Sequence, residues 1–400
     1  MSPVLPFDIF ALIIDIVGEN KDTDLLKRLA LVSHSFLQIC SKHLFATIEL
    51  HDAYLDQLAS SKKGFVKLLR SRPDVVNYIR KLTYKVTYKY DNCPLSISQF
   101  TAYLSESEDD PILINLLRTI SRLNCLKITT LYQHWDILDS SLTSALLHLM
   151  HLPTINHIDL SYIKNFPLSS LTPSVNLHRL DINDLRLGYP EIIVPLEMMP
   201  KIREFHVSES SRVTAKLLHA KTQDGRPAFN FMDLRLFKFT ISFNEDVHIT
   251  RYLLQNAKLL EKLHLILRRP GGSLVGLLSP GAHSIKFLNL TVFLYRSLPL
   301  LAGVSEELEA MAGHNMLEGL SLEVHVHDDI TEDFIGSTIE RVENVLAKPG
   351  WSALRQVSFE VKILGWRDAK LFEALQSLPD KYLSQLPKLE SVAFSYSVHL

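Results

Sequence analysis

The sequence has few cysteines, and their number and spacing exclude the sites that cysteines usually build. The three cysteines, Cys40, Cys93 and Cys125, are odd in number and show no CxxC spacing. They therefore provide neither a disulfide framework nor a zinc ribbon, and they are typical of a reducing compartment. We expect them to be buried or unreactive thiols.

The chain also lacks a surplus of charge of either sign, since 42 Lys and Arg residues stand against 44 Asp and Glu residues. Nucleic acids and anionic membranes are bound by proteins with a basic surplus. We therefore expect neither of them as a partner.

Long uncharged apolar runs are missing as well, and none approaches the roughly 20 residues that span a bilayer. The apolar opening stretch, residues 4–18, is interrupted by Asp8 and Asp15 and contains no Lys or Arg. A signal peptide would need a basic start and an uninterrupted apolar segment. The sequence therefore predicts an intracellular protein, in the cytoplasm or the nucleus, that does not span a membrane.

What the sequence does contain is typical of a globular protein, with 46% hydrophobic and 22% charged residues. Its 400 residues are many for one compact core. They suit two or three domains, or one elongated repeat domain.

The first fifty residues have the spacing of three short helices. Apolar residues recur from Asp8 to Gly18, which is a natural helix end. Asp22 or Thr23 can cap the next helix, and Ser33 is expected to cap a break that makes two helices of the second apolar run. The apolar positions of the first helix are Ile9, Leu12, Ile13, Ile14, Ile16 and Val17.

This helical unit has apolar residues on more than one face and is too small to bury them all by itself. Surplus apolar surface on a small module usually serves docking. The pattern leaves open whether the unit docks on a neighbouring domain or on a separate protein.

Residues 4–50 resemble an F-box, in particular the F-box at the start of many fungal proteins. The motifs that carry the resemblance are, in order, Leu5-Pro6 with Asp8-Ile9, Val17-Gly18, Ala30-Leu31-Val32-Ser33 with Phe36, and His43-Leu44-Phe45 with Ile48 and Leu50. Many animal F-boxes have a tryptophan near the end of this core, whereas the nearest aromatic candidate here is Phe36.

The resemblance implies that the unit docks on a Skp-type adaptor, which would join the chain to a cullin–RING ubiquitin ligase. Half or more of the corresponding positions are expected to pack inside the F-box itself. The adaptor-facing residues that the resemblance implies are Leu5, Pro6, Ile9, Ile13, Ile14, Leu25, Leu29, Val32, Ser33 and Phe36.

A six-residue pattern, apolar-x-x-apolar-x-apolar, recurs along the rest of the chain. The alternation at the end of each hexamer is typical of a short, half-buried strand. Its eleven occurrences are IRKLTY (79–84), LNCLKI (123–128), INHIDL (155–160), LHRLDI (177–182), IREFHV (202–207), LRLFKF (234–239), LEKLHL (260–265), IKFLNL (285–290), LEGLSL (317–322), LRQVSF (354–359) and LESVAF (389–394).

The spacing of these hexamers resembles an irregular leucine-rich repeat. Several are separated by the about 20–29 residues of such repeats, and the longer gaps have room for a helix, as in 139–151 and 331–350. The asparagine of the regular pattern is missing, so the repeats do not predict a uniformly curved solenoid. The sequence thus predicts an α/β chain with a three-helix F-box (1–50), a helical linker (51–75) and a leucine-rich-repeat-like solenoid with parallel strands and intervening helices (76–400).

Solenoids bind partners on an exposed strand face. By alternation that face should carry the residues between the inward ones, and their mixed charge favours a protein target over nucleic acid. The candidates are Asp159, Arg179, Asp181, Glu204, His206, Lys262, His264, Glu323, His325 and His327.

Catalytic and cofactor motifs are weak or missing. His325, His327 and Glu323 are the most metal-like group, but a fourth ligand is not apparent nearby, and we expect no metal or cofactor. GxSxG, HExxH and kinase motifs do not occur.

The leading hypothesis is a non-catalytic substrate-recognition subunit of a ubiquitin ligase with an unidentified target protein. The alternatives are a repeat scaffold outside any ligase and an enzyme of unrecognised type.

Overall fold

The structure is a computed structural model that describes residues 7–53, 60–87, 110–187, 199–222, 224–268, 274, 276–294, 300–327, 331–364, 369–386 and 391–399. The chain divides into two compact units. The first comprises Met1–Pro200 with Thr222–Asp224, and the second comprises Lys201–Lys221 with Gly225–Leu400.

The first unit begins with three helices, α1 (Phe7–Glu19), α2 (Thr23–Ala30) and α3 (His34–Leu44). Asp22 is the N-cap of α2, since its side chain accepts a hydrogen bond from the Leu25 amide. Ser33 caps α3 in the same way through the Phe36 amide and divides the second apolar run, as the sequence predicts.

A strand spans residue 50, the predicted end of the F-box-like unit. Residues Thr47–Ala53 form β1, which pairs in parallel with β2 (Lys81–Thr87). Leu50 is buried there as part of the first unit's core. The apolar residues that close the F-box-like motif therefore belong to the first strand, and the helix α4 (Ser60–Ser71) lies between two paired strands.

Parallel strands and helices continue through the first unit. Each strand pairs with the one before it along the chain. After β2, the remaining elements are α5 (Asp110–Thr119), β3 (Cys125–Thr130), α6 (Ser140–Met150), β4 (His157–Ser161) and β5 (Arg179–Asn183), with 3-10 turns at Pro73–Tyr78, Trp135–Ile137 and Leu168–Leu171.

The second unit is built in the same way, with each described strand paired in parallel to its neighbours in the chain. Its elements are β6 (Glu204–Ser208), α7 (Ser211–His219), β7 (Leu236–Ile241), α8 (Asn244–Asn256), β8 (Lys262–Leu267), a 3-10 turn (Ser279–Gly281), β9 (Phe287–Leu294), α9 (Leu300–Met311), β10 (Gly319–His327), α10 (Glu332–Leu346), β11 (Gln356–Leu364), α11 (Ala369–Gln376), α12 (Leu378–Tyr382) and β12 (Ala393–His399).

The core of each unit lies on the helix side of its strands. In β3 and in β11, side chains alternate between half-buried or exposed and fully buried. The buried ones lie on the side of the apolar helix faces; in α6 these faces include Leu142, Ala145, Leu146 and Leu149. The opposite face of the strands is directed towards solvent, where its side chains are accessible to a partner.

Ten of the eleven hexamers have their fourth residue in a strand, and within each unit these ten residues pair in register from strand to strand. The eleventh is displaced by two residues, because Val357 of β11 pairs with Phe394 and not with Val392. A shift of two keeps every side chain on its face, so the alternation could not reveal it. In β12 even the inward-facing Phe394, Tyr396 and Val398 are only half-buried.

Candidate functional site

The N-terminal helical segment exposes more large apolar side chains for its length than the rest of the described chain. Of the seventeen large apolar side chains that are exposed among the described residues, eight lie between residues 7 and 32. We call them the N-terminal apolar surface; they are Phe7, Ile9, Leu12, Ile13, Ile16, Leu25, Leu31 and Val32. Exposed apolar groups in this number are typical of a protein-binding surface.

This surface exists because the helices have only a small core of their own. Ile14, Leu26 and Cys40 are buried together, and Val17, Leu29 and Phe36 pack against them. Each short helix can turn only one stripe towards so small a cluster. Its remaining apolar side chains therefore stay in contact with solvent.

The ten residues predicted to face an adaptor have different environments. Ile9, Ile13, Leu25 and Val32 are exposed, while Leu29 and Phe36 are half-buried. Phe36 also packs against Phe10, with 5.4 Å between ring centroids. Ser33 is exposed, but its hydroxyl is used as the cap of α3.

Among these predictions, Ile14 was expected to face the adaptor but lies in the interior of the helical unit. It is only 1% exposed, because its side chain fills the centre of the helical unit, so it stabilises the unit and is not available to a partner. Leu5 and Pro6 lie outside the described residues. Phe7, Leu12, Ile16 and Leu31 were not among the predicted positions; the only signal for them was that the first helix is apolar around most of its circumference.

The strand face of the first unit carries a network of paired charges. The Lys127 ammonium lies 2.7 Å from the Asp159 carboxylate, which also accepts a hydrogen bond from the Ser161 hydroxyl. Arg179 donates to both carboxylate oxygens of Asp181 through Nε and Nη2. The predicted face residues Asp159, Arg179 and Asp181 thus do lie together, each with a partner of opposite charge.

Cys125, expected to be idle, belongs to the same network. Its Sγ lies 3.2 Å from His157 Nδ1, and His157 Nε2 lies 3.0 Å from Asp181 Oδ2. Burial favours the neutral ring, but the contacts with Asp181 and Cys125 outweigh it and raise the pKa of His157 to about 9.

The strand face of the second unit is organised around Glu323. Its carboxylate lies 2.5 Å from the Lys362 ammonium and 2.6 Å from His325 Nε2. Burial acts against the charged form, yet these two contacts lower the pKa of Glu323. The His325 ring stacks on Phe293, with 4.4 Å between centroids.

The other predicted residues of this face occupy β6 and β8. Glu204, His206 and His264 are half-buried, and Lys262 is exposed. Burial and the nearby Lys238 cation lower the pKa of His264 to about 4, and its Nε2 lies 3.0 Å from the Thr291 hydroxyl. His327 belongs to β10 by its backbone, but its side chain lies outside the described part.

Within the described ranges, groups of three or more His, Cys, Asp or Glu side chains arranged to hold a metal ion do not occur. The helices of those ranges also include none that is both long enough and apolar enough to cross a bilayer. The strand faces of the two units instead carry half-buried polar side chains that are paired with one another.

Comparison with known proteins adds little to this geometry. Scanning against protein-family models finds no match, and a search of curated proteins finds no sequence with significant similarity. Among solved structures, a protein from Bacteroides fragilis determined as a structural genomics target aligns over 86% of this chain and 84% of its own, at 11% identity and a TM-score of 0.30. A score this low carries no argument about fold or function.

Proposed function

We propose that the chain is a substrate-recognition subunit of a Skp–cullin–F-box ubiquitin ligase, in which the N-terminal apolar surface docks on a Skp-type adaptor and a strand face binds a target protein. The chain itself would catalyse no step and would act by holding the target near the ubiquitin carrier. This role places it in the cytoplasm or the nucleus.

The observation that carries the proposal is the N-terminal apolar surface. Val32 is 66% exposed and Leu31 is 88% exposed, on a turn between two helices. Large apolar side chains at such positions lower the solubility of a protein that works alone, whereas burial in an interface contributes about 1.5–3 kcal/mol each. The order of motifs along these helices resembles an F-box, which supports a Skp-type adaptor as the partner.

The strand faces support the second half of the proposal. Their polar side chains are already paired within the chain, as with Lys127–Asp159 and Lys362–Glu323. A face with both signs of charge and rigid strands suits a protein target, whose own charges can be matched at the rim of the contact.

The test is co-expression with a Skp-type adaptor, followed by purification on a tag carried by this chain. We expect the wild-type chain to retain the adaptor and the variant Ile13→Asp/Val32→Asp to lose tenfold or more in affinity, because two apolar anchors become charged. Both residues are exposed, so the unit itself should stay folded.

The matched control is Leu259→Asp, which puts a charge on a similarly exposed apolar residue of the second unit. It should leave adaptor binding unchanged. Absence of a complex with the wild-type chain, or equal binding by the Ile13→Asp/Val32→Asp variant, contradicts the proposal. Adaptor binding without recruitment of a cullin would instead favour the repeat scaffold that acts outside a ligase.

A further inference from the structure

Three adjacent strands bring a thiol, an imidazole and a carboxylate together near their first residues. In the sheet register, Cys125 of β3 pairs with His157 of β4, which pairs with Arg179 of β5. Asp181 lies two residues further along β5, on the same face, and reaches His157 with its carboxylate. An activated-thiol site needs three groups: a sulfur nucleophile, a base that transfers the proton of the thiol, and a carboxylate that orients the base.

The hydrogen bonds determine where the protons are. Asp181 is held as an acceptor by Arg179, at 3.0 Å from Nη2, so His157 Nε2 donates to it. Since the pKa of His157 is raised to about 9, the ring keeps its second proton at neutral pH and Nδ1–H points at Cys125 Sγ. A cationic donor in contact with sulfur stabilises the thiolate over the thiol.

The surroundings add positive charge and leave access to solvent. The register places Lys81 of β2 beside Cys125, and Cys125 is partly exposed, whereas Cys40 is buried. Burial raises the pKa of the Cys40 thiol, so the chain contains an unreactive thiol for comparison. The charged residues on this face around the pair are Lys81, Lys127, Asp159, Arg179 and Asp181.

We propose that Cys125 is a covalent-modification site, at which the sulfur in contact with His157 Nδ1 adds to small α,β-unsaturated carbonyl compounds. The sulfur forms a bond to the β-carbon, and the π electrons of the double bond move towards the carbonyl group. The proton on His157 Nδ1 then passes to the α-carbon. The step is an addition, so nothing leaves and no oxidant is needed.

Asp181 is a positioning residue in this scheme, because it orients the His157 ring and does not touch the electrophile. The adduct would lie on the strand face between Lys81 and His157. The proposal does not depend on adaptor docking, and either can fail while the other stands.

Acrylamide, a small and slow α,β-unsaturated carbonyl compound, is a suitable probe for the purified full-length chain. Mass mapping of peptides gives a separate alkylation rate for each cysteine at about pH 7. We expect Cys125 to react about tenfold or more faster than Cys40, because its sulfur is partly exposed and contacts His157, whereas Cys40 is buried.

The variant His157→Gln removes the imidazole that contacts the sulfur and should lower the Cys125 rate by about tenfold or more. Asp181→Asn should have a smaller effect in the same direction. His264→Gln, on the strand face of the second unit, is the matched control and should leave the rate unchanged. The proposal is overturned if Cys125 of the wild-type chain reacts no faster than Cys40, a result that needs no variant to fold, or if a folded His157→Gln variant keeps the wild-type Cys125 rate.

Discussion

At the scale of single residues, the neighbours of a strand-face histidine decide its charge at neutral pH. His157 contacts the Asp181 carboxylate and keeps its proton, with a pKa of about 9. His264 lies half-buried near the Lys238 cation and stays neutral, with a pKa of about 4. Both rings occupy outward-facing strand positions, so the strand pattern does not distinguish them.

These two shifts predict opposite effects of pH on stability. An unfolded histidine titrates near pH 6.5. His157 therefore stabilises the fold fully below about pH 6.5, and this contribution is lost as pH rises towards about 9. The His264 environment stabilises the fold above about pH 6.5, and that contribution is lost as pH falls towards about 4.

Urea unfolding at several pH values, for the wild type and for His157→Gln and His264→Gln, measures both effects. We expect the free-energy difference between wild type and His157→Gln to shrink on the alkaline side. The free-energy difference between wild type and His264→Gln should fall as pH is lowered from about 6.5 towards about 4. Differences that stay constant with pH in either variant would contradict the assigned charge state of that histidine.

At the scale of elements, the close contact between α1 and α3 requires a glycine at position 18. A Cβ atom at Gly18 would overlap the imidazole ring of His43. That ring cannot move freely, because its Nε2 lies 2.7 Å from Asp15 Oδ1, where Lys42 also binds. Gly18 thus allows the end of α1 to approach α3 while the Asp15 carboxylate links the two helices.

The variant Gly18→Ala should therefore destabilise the chain by about 1–3 kcal/mol, the usual effect of forcing extra volume into a close contact. Gly64→Ala in α4 is the matched control, since its Cβ would meet no atom within 4 Å. That change should stabilise the chain by about 0.5–1 kcal/mol, because alanine favours a helix. Chemical denaturation measures both, and a neutral Gly18→Ala would show that α1 and α3 do not pack as described.

Helices of the second unit hold its loops with buried carboxylates. Glu343 of α10 is 1% exposed and accepts hydrogen bonds from the amides of Gln385 and Leu386, at 2.8 and 2.9 Å. Glu307 of α9 is equally buried and binds the amides of Gly276 and Leu278. These glutamates accept hydrogen bonds from loop amides that would otherwise be buried without partners. The sequence does not predict them, because the loops and helices that meet are distant along the chain.

At the scale of the whole molecule, the amount of buried core differs between the N-terminal helices and the strands. The helical unit has a cluster of three fully buried side chains, Ile14, Leu26 and Cys40. Each interior strand instead contributes several, as β11 does with Val357, Phe359 and Val361. Local stability follows the amount of apolar surface that an element buries.

Hydrogen exchange should therefore show a gradient of protection. We expect the amides of α1–α3 to exchange faster than those of β3 and β4 in the first unit and of β8 to β11 in the second. Adding a Skp-type adaptor should slow exchange in α1–α3 and leave β8 to β11 unchanged. Equal protection of helices and strands in the free chain would contradict the small-core explanation of the N-terminal apolar surface.

The sequence by itself determined the strands β2 to β11 and which of their side chains point inward. Alternation is a local property of an extended chain, so each of these ten hexamers identifies its inward positions from its own residues alone. The caps Asp22 and Ser33 were equally local, since each side chain reaches an amide only three residues away.

Only the tertiary structure decided what depends on packing between distant segments. Ile13 and Ile14 are adjacent and chemically identical, and the positions of α2 and α3 alone make one exposed and the other buried. The two-residue displacement of β12 follows from its pairing with β11. Cys125, His157 and Asp181 are separated by 32 and 24 residues, and they meet because β3, β4 and β5 pair in parallel with their first residues in register and Asp181 lies two residues further along β5.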